Sequence, residues 1–225
     1  MAASFLSALW GYVLLFIVLC GAVIVGRFAF GLQAQAEGYS LSDQALNQDN
    51  AAVTVRWGGM TVATVIALLG VFSPNGGDGV MTIASGSMAF VLGFAALFAS
   101  RYLNDRVILH MVDNNKAVVQ EKNLAVAIVE FSTYCATAII FAGGISAPDH
   151  SIGQAVVWFV IGQSILVGLA YGYHRFFPTV FDEISKGNSA CALSLAGILL
   201  AAGMAVGSLI HGPSNGILWD VLGIA

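Results

Sequence analysis

Arg27-Phe28, Arg101-Tyr102 and Arg175-Phe176 follow one another at a fixed step of 74 residues (27 to 101 to 175), each closing a long apolar run. Downstream of each comes an asparagine that opens a second apolar run: Asn50-Ala51-Ala52-Val53-Thr54, Asn123-Leu124-Ala125-Val126-Ala127 and Asn188-Ser189-Ala190-Cys191-Ala192. The unit is therefore an apolar span, Arg-aromatic, a polar linker, Asn, and an apolar span, written three times. A fixed internal period sets the architecture before any local feature does.

Six apolar stretches result, at 3–26, 51–73, 79–100, 123–146, 153–173 and 188–211. Each is about 20 residues or more, enough to cross a hydrocarbon core of ~30 Å as a helix. Composition agrees, since 58% of the 225 residues are hydrophobic and only 9% are charged. The sequence predicts an all-α membrane protein with six transmembrane helices, arranged as three parallel two-helix repeats spanning 1–78, 79–152 and 153–225. Repeats of two spans enter the bilayer in one orientation, so rotation about the membrane normal relates them.

Charge sets the expected topology. Arg27, Arg101, Arg106, Lys116, Lys122, Arg175 and Lys186 lie at or between spans 1–2, 3–4 and 5–6, and Arg56 lies inside span 2. The opposite turns, 73–79 and 146–153, carry no Lys or Arg. Basic residues favour the cytoplasmic side near span ends. The long linkers are expected inside and both termini outside. The first span lacks a basic n-region and is too long an apolar run for a signal peptide. The net charge of −4 argues against a nucleic-acid partner. The expected partners are the lipid bilayer and either further copies of the chain or another subunit of a membrane complex.

The linker 101–122 places Leu103, Val107, Ile108, Met111 and Val112 on one helical face. It reads either as an amphipathic helix on the inner surface or as a continuation of span 3. The outer turns, rich in Gly, Pro, Asn and Asp, read as tight hairpins. The tail 217–222, too short to cross, is expected at the outer interface with Trp219 as anchor.

Asn50, Asn123 and Asn188 fall where helices begin. Asparagine is a favoured N-cap because its side-chain oxygen accepts from a free backbone N–H. The other reading is a set of helix starts converging on a pore mouth or anion site. Arg27, Arg101 and Arg175 mark the inner boundary of each repeat.

Arg56 and Glu130 are the candidate intramembrane polar pair. They lie six and seven residues past their asparagines, roughly 9–11 Å inside the boundary at 1.5 Å per residue. A lone ionisable group at that depth costs on the order of 2–3 kcal/mol. Opposite charges facing inward offset much of it. Ser194 and Leu195 occupy the equivalent places in the third unit. The readings are a polar path, a structural ion pair, or Arg56 reaching back to the surface. Other polar groups in the spans are Thr54, Thr61, Thr64, Ser132, Thr133 and Ser164, so the outer half is expected to be nearly all apolar.

Gly168/Gly172 and Gly203/Gly207 fit the small-xxx-small pattern of close helix contact, and Gly58, Gly59, Gly143, Gly144 and Gly197 extend it. Cys20, Cys135 and Cys191 match no metal spacing and are expected to be packing residues. No lysine lies in a span, no two histidines face one another at mid-membrane, and no hydrolase or nucleotide-binding motif is present. No cofactor, metal or catalytic residue is expected, and the chain is read as no enzyme.

The stretch Phe181-Asp182-Glu183-Ile184-Ser185-Lys186-Gly187-Asn188-Ser189-Ala190-Cys191-Ala192-Leu193-Ser194-Leu195-Ala196-Gly197 resembles the signature of the YjfL-like family of bacterial inner-membrane proteins, domain of unknown function 350. Gln120 to Ala127 and Gln48 to Ala52 look like divergent copies lacking the Gly before Asn. The resemblance implies an inner-membrane location and tandem repeats, three here where two are typical. It implies no activity. The residues leave two functions open: a packed oligomeric scaffold or complex subunit, and a channel or transporter for an ion or small solute.

Overall fold

The computed structural model describes residues 2–71, 83–109, 112–147 and 152–210. Within them the chain forms eight α-helices: α1 Ala2–Ala36, α2 Ala51–Val71, α3 Ile83–Leu103, α4 Asn114–Val119, α5 Leu124–Ser146, α6 Ile152–Phe176, α7 Pro178–Ser185 and α8 Ser189–Ile210. Two wide π-type turns, Asp43–Asn47 and Asn104–Ile108, lie in the linkers, and no strand occurs among the described residues. Five helices hold stretches long and apolar enough to cross a membrane: Phe16–Ala36, Ala51–Val71, Leu124–Ser146, Ile152–Phe176 and Ser189–Ile210. The molecule is an all-helical, multi-pass membrane protein. The outer turns at 73–79 and 148–150 and the tail around Trp219 fall outside the described residues.

Two staggered rows of helices make the bundle. α2, α5 and α8 form one row, with α5 packed against both others. The second row covers it: α1 lies on α2, α3 on α2 and α5, and α6 on α5 and α8. This arrangement buries α5 nearly all round, including Val126, Val129, Tyr134, Ala138 and Ile140. Lipid tails are as apolar as leucine, so such helices associate through close van der Waals contact rather than hydrophobic expulsion. Small residues supply the closeness. A methyl group built on Gly70 would strike the backbone of Ala142, and one on Gly143 would strike that of Gly207. On the outside, Phe16, Ile17, Ile24, Val25, Phe28 and Leu32 of α1 remain exposed, as do Val156, Val160 and Leu169 of α6. These apolar faces contact the bilayer.

The first helix is longer than the apolar stretch 3–26, and its window apolar enough to cross lies later, at Phe16–Ala36. α1 does not stop at Arg27. It runs to Ala36, because residues 27–36 contain no helix breaker stronger than Gly31, and it ends at Gly38 with φ +87°. The linker 101–122 forms no single amphipathic helix. α3 ends at Leu103, the Asn104–Ile108 turn follows, and α4 begins at Asn114 capped by Asp113. Of the two paired-glycine motifs, only Gly203/Gly207 packs, against Ala136 and Ile139 of α5. Gly168 and Gly172 meet none of the described residues within 4 Å.

The residue before each asparagine is left-handed: Asp49 at φ 49°, Lys122 at φ 53° and Gly187 at φ 93°. This bend folds the chain back so that the asparagine N–H reaches Gln44 O (2.9 Å), Ala117 O (2.8 Å) and Glu183 O (2.9 Å) respectively. Glycine adopts the conformation freely, whereas a side chain pays ~1 kcal/mol. Lys122 also puts positive charge at a helix N-terminus. Gly187→Ala is therefore expected to lower the thermal midpoint by an equivalent of ~0.5–1 kcal/mol, while Lys122→Gly relieves the backbone but loses the Lys122 Nζ bond to Gln48 O and should change it by less. Unfolding of both variants in one detergent checks the difference.

Candidate intramembrane polar site

Arg56 and Glu130 meet at the joint between α2 and α5. They are 74 residues apart in sequence, and both carboxylate oxygens take part: Glu130 Oε2 accepts from Arg56 Nε, and Oε1 accepts from Nη2 at 2.8 Å. The fork is held from a third side by α4. Arg56 Nη2 also donates to Asn114 O at 2.9 Å, and Nη1 donates to Asn115 Oδ1 at 3.3 Å. The side chains are 2% and 0% exposed. A planar guanidinium matches a carboxylate in this two-point way, and the ammonium of a lysine does not.

Polar groups continue away from the pair in two directions. Asn114 Nδ2 donates to Asp105 Oδ1 at 2.8 Å. Arg101, in the last turn of α3, donates through Nη2 to Glu37 at 2.6 and 2.8 Å, fastening α3 to the end of α1. Deeper in the bundle, Thr133 Oγ1 donates to Val129 O of its own helix at 2.9 Å and lies 3.3 Å from Asn104 Oδ1, Thr137 Oγ1 lies 2.9 Å from Ser100 Oγ, and Gln163 Nε2 donates to Thr137 Oγ1 at 3.1 Å. The Tyr134 hydroxyl is fully buried beside this track and has no hydrogen-bond partner among the described residues. Thr137 sits roughly 21 Å along α5 from Asn123 at 1.5 Å per residue. The track reaches about the midpoints of the candidate spans Leu124–Ser146 and Ile152–Phe176, with Thr137 and Gln163. By contrast, the hydroxyls of Thr54, Thr61, Thr64 and Ser164 bond carbonyls of their own helices and join no path.

All three asparagines cap their helices. Val53 N donates to Asn50 Oδ1 and Val126 N to Asn123 Oδ1, both at 3.2 Å, and Ala190 N and Cys191 N donate to Asn188 Oδ1. Their amide groups do more. Asn50 Nδ2 donates to the carbonyls of Val118 and Val119, the last two residues of α4. Asn123 Nδ2 donates to those of Ile184 and Ser185, the last two residues of α7. Asn188 is exposed, and its amide returns to Glu183 Oε2 of its own linker at 3.3 Å. That bond and the neighbouring Lys186 ammonium hold the Glu183 carboxyl below its usual range, Lys186 contributing most. The amides of Asn50 and Asn123 thus point at carbonyls and that of Asn188 at a carboxylate.

The three boundary arginines do three different things. Arg27 lies inside α1, exposed, with its guanidinium 4.7 Å above the centre of the Trp57 ring. Arg101 is the buried partner of Glu37. Arg175 is exposed in the last turn of α6. Sequence reading singled out Arg56, Glu130 and Thr133 but not Gln163, Thr137, Ser100, Asn104 or Glu37. A signal existed for most of these: Gln163 is an amide inside an apolar span, and Ser100/Asn104 and Thr133/Thr137 are spaced four apart on one helical face.

Among the described residues no group of three or more His, Cys, Asp or Glu side chains could hold a metal ion. No curated protein and no solved structure matches the chain. The family model described as Domain of Unknown Function (DUF350) matches residues 4–145 and again 148–225, and the chain belongs to that family.

Proposed function

We propose that this protein is a packed, oligomeric scaffold or complex subunit of the bacterial cytoplasmic membrane, without enzymatic activity. In this reading it holds three repeats, 1–78, 79–152 and 153–225, crosses six times with α3 as the third span, and leaves both termini outside. The observation that carries it is the closure of the Arg56–Glu130 joint. A transport site must exchange its charge with water or cargo, whereas this pair is sealed and satisfied on three sides. Buried pairs add little net stability, but they penalise every register in which the partners miss. We read the pair as the lock between repeats 1 and 2. The second reading, a channel or transporter, draws its support from the Thr133–Thr137–Gln163 track.

Cysteine labelling in a cysteine-free background tests both topology and closure. An impermeant maleimide applied outside should modify Asp149→Cys and spare Asp113→Cys. Thr137→Cys should stay unreactive from either side. Reversed labelling at 113 and 149 contradicts the topology, and fast labelling at 137 favours the transport reading.

A further inference from the structure

One contact is made twice along the α2–α5–α8 row, and its next use lies beyond the chain. A shift of 73 residues carries Asn50 onto Asn123, and a shift of 65 carries Asn123 onto Asn188. The same shifts carry Gly70 onto Gly143 and Ala142 onto Gly207. These are the residues that touch: Gly70 lies against Ala142 and Gly143 lies against Gly207. The linkers repeat the pattern, since Asn50 reaches the last carbonyls of α4 and Asn123 the last carbonyls of α7. Each unit thus hands the next one a glycine face and an asparagine amide.

Among the described residues, the third unit offers the same hand with nothing in it. Gly59 is tight against Phe131, and its equivalent Gly197 meets nothing within 4 Å. Gly70 and Gly143 are covered, and their equivalent Ser208 is exposed. Asn188 is exposed, and its amide nitrogen turns back to Glu183 of its own linker. The first unit offers the receiving face, also open. Gly58, equivalent to Phe131, meets nothing within 4 Å. Leu69, equivalent to Ala142, is 48% exposed, and Leu46 in the Asp43–Asn47 turn is 78% exposed.

We propose that a second copy of this chain occupies both faces, head to tail, with α8 of one copy packed on α2 of the other and Asn188 donating to the end of the other's Asp43–Asn47 turn. This deepens the scaffold reading and rests on its repeat architecture. A contact between unlike faces closes a ring only if the rotation permits it. On α5, the α2-facing residues Phe131 and Ala142 and the α8-facing residues Ala136 and Gly143 stand roughly 120° apart, at about 100° per residue. A row that turns so at every helix closes after about six helices, and two copies supply six. The assembly is a two-copy ring with α2, α5 and α8 of each copy in the inner row.

Co-expression of two differently tagged, cysteine-free copies tests it, one bearing Gly58→Cys and the other Gly197→Cys. Oxidation in native membranes should give a disulfide dimer carrying both tags, and the band should be lost when either variant is expressed alone. Leu69→Cys with Ser208→Cys, both at exposed positions, should behave the same way. Linking by a single variant alone means like faces meet and overturns the proposal. Failure of both pairs to link, with the labelling at 113 and 149 intact, overturns this interface while leaving the topology standing. Native mass spectrometry should give two copies, and a monomer or a larger ring overturns the closure.

Discussion

Glu130→Leu alone is expected to destabilise the protein by ~3–5 kcal/mol, because it leaves the Arg56 guanidinium buried without its counter-charge. The remaining partners of Arg56 are one carbonyl and one amide oxygen, from Asn114 and Asn115, and neither carries charge. Arg56→Leu alone should cost a similar amount, for it leaves a carboxylate at 0% exposure. The double variant removes both desolvation penalties and fills the joint with apolar volume, so it should recover most of the loss. Thermal unfolding in one detergent gives the four corners of the cycle. A coupling of several kcal/mol is expected, and additive losses would show that the contact does no energetic work.

The second large effect concerns the close approach of the row helices. Gly143→Leu should cost ~3 kcal/mol or more, since even its Cβ strikes the backbone of Gly207 and α5 must move off α8. Gly168→Leu is the matched comparison. It lies on a span helix where nothing approaches within 4 Å, and it should change stability by less than ~0.5 kcal/mol. Equal losses at 143 and 168 would mean that the penalty is one of glycine chemistry rather than of packing.

Level along the helices was legible in the sequence, and azimuth was not. Counting from Asn50 and Asn123 places Arg56 and Glu130 at one level, and the structure joins them there. The asparagines announced helix starts, and all three cap. What they do with their amide groups depends on which linker lies alongside, and no periodicity carries that. The Gly-Asn signature became readable only through φ: Gly187 marks a left-handed residue that Asp49 and Lys122 occupy at a cost. An arginine after an apolar run need not end the helix, and α1 continues past Arg27 with that side chain over Trp57. Gln163 was passed over because one amide in a span is unremarkable until Thr137 is found beside it.

Under the proposed reading, the helices of each copy form a sealed core rather than a conduit. The most direct measurement is flux through reconstituted protein, since a working path must keep water-accessible polar groups across the full ~30 Å. Proteoliposomes are expected to show no ion or polyamine flux above empty liposomes. Flux that is present in the native protein and abolished by Glu130→Gln, with the fold intact, would contradict the claim and make Glu130 a transport residue.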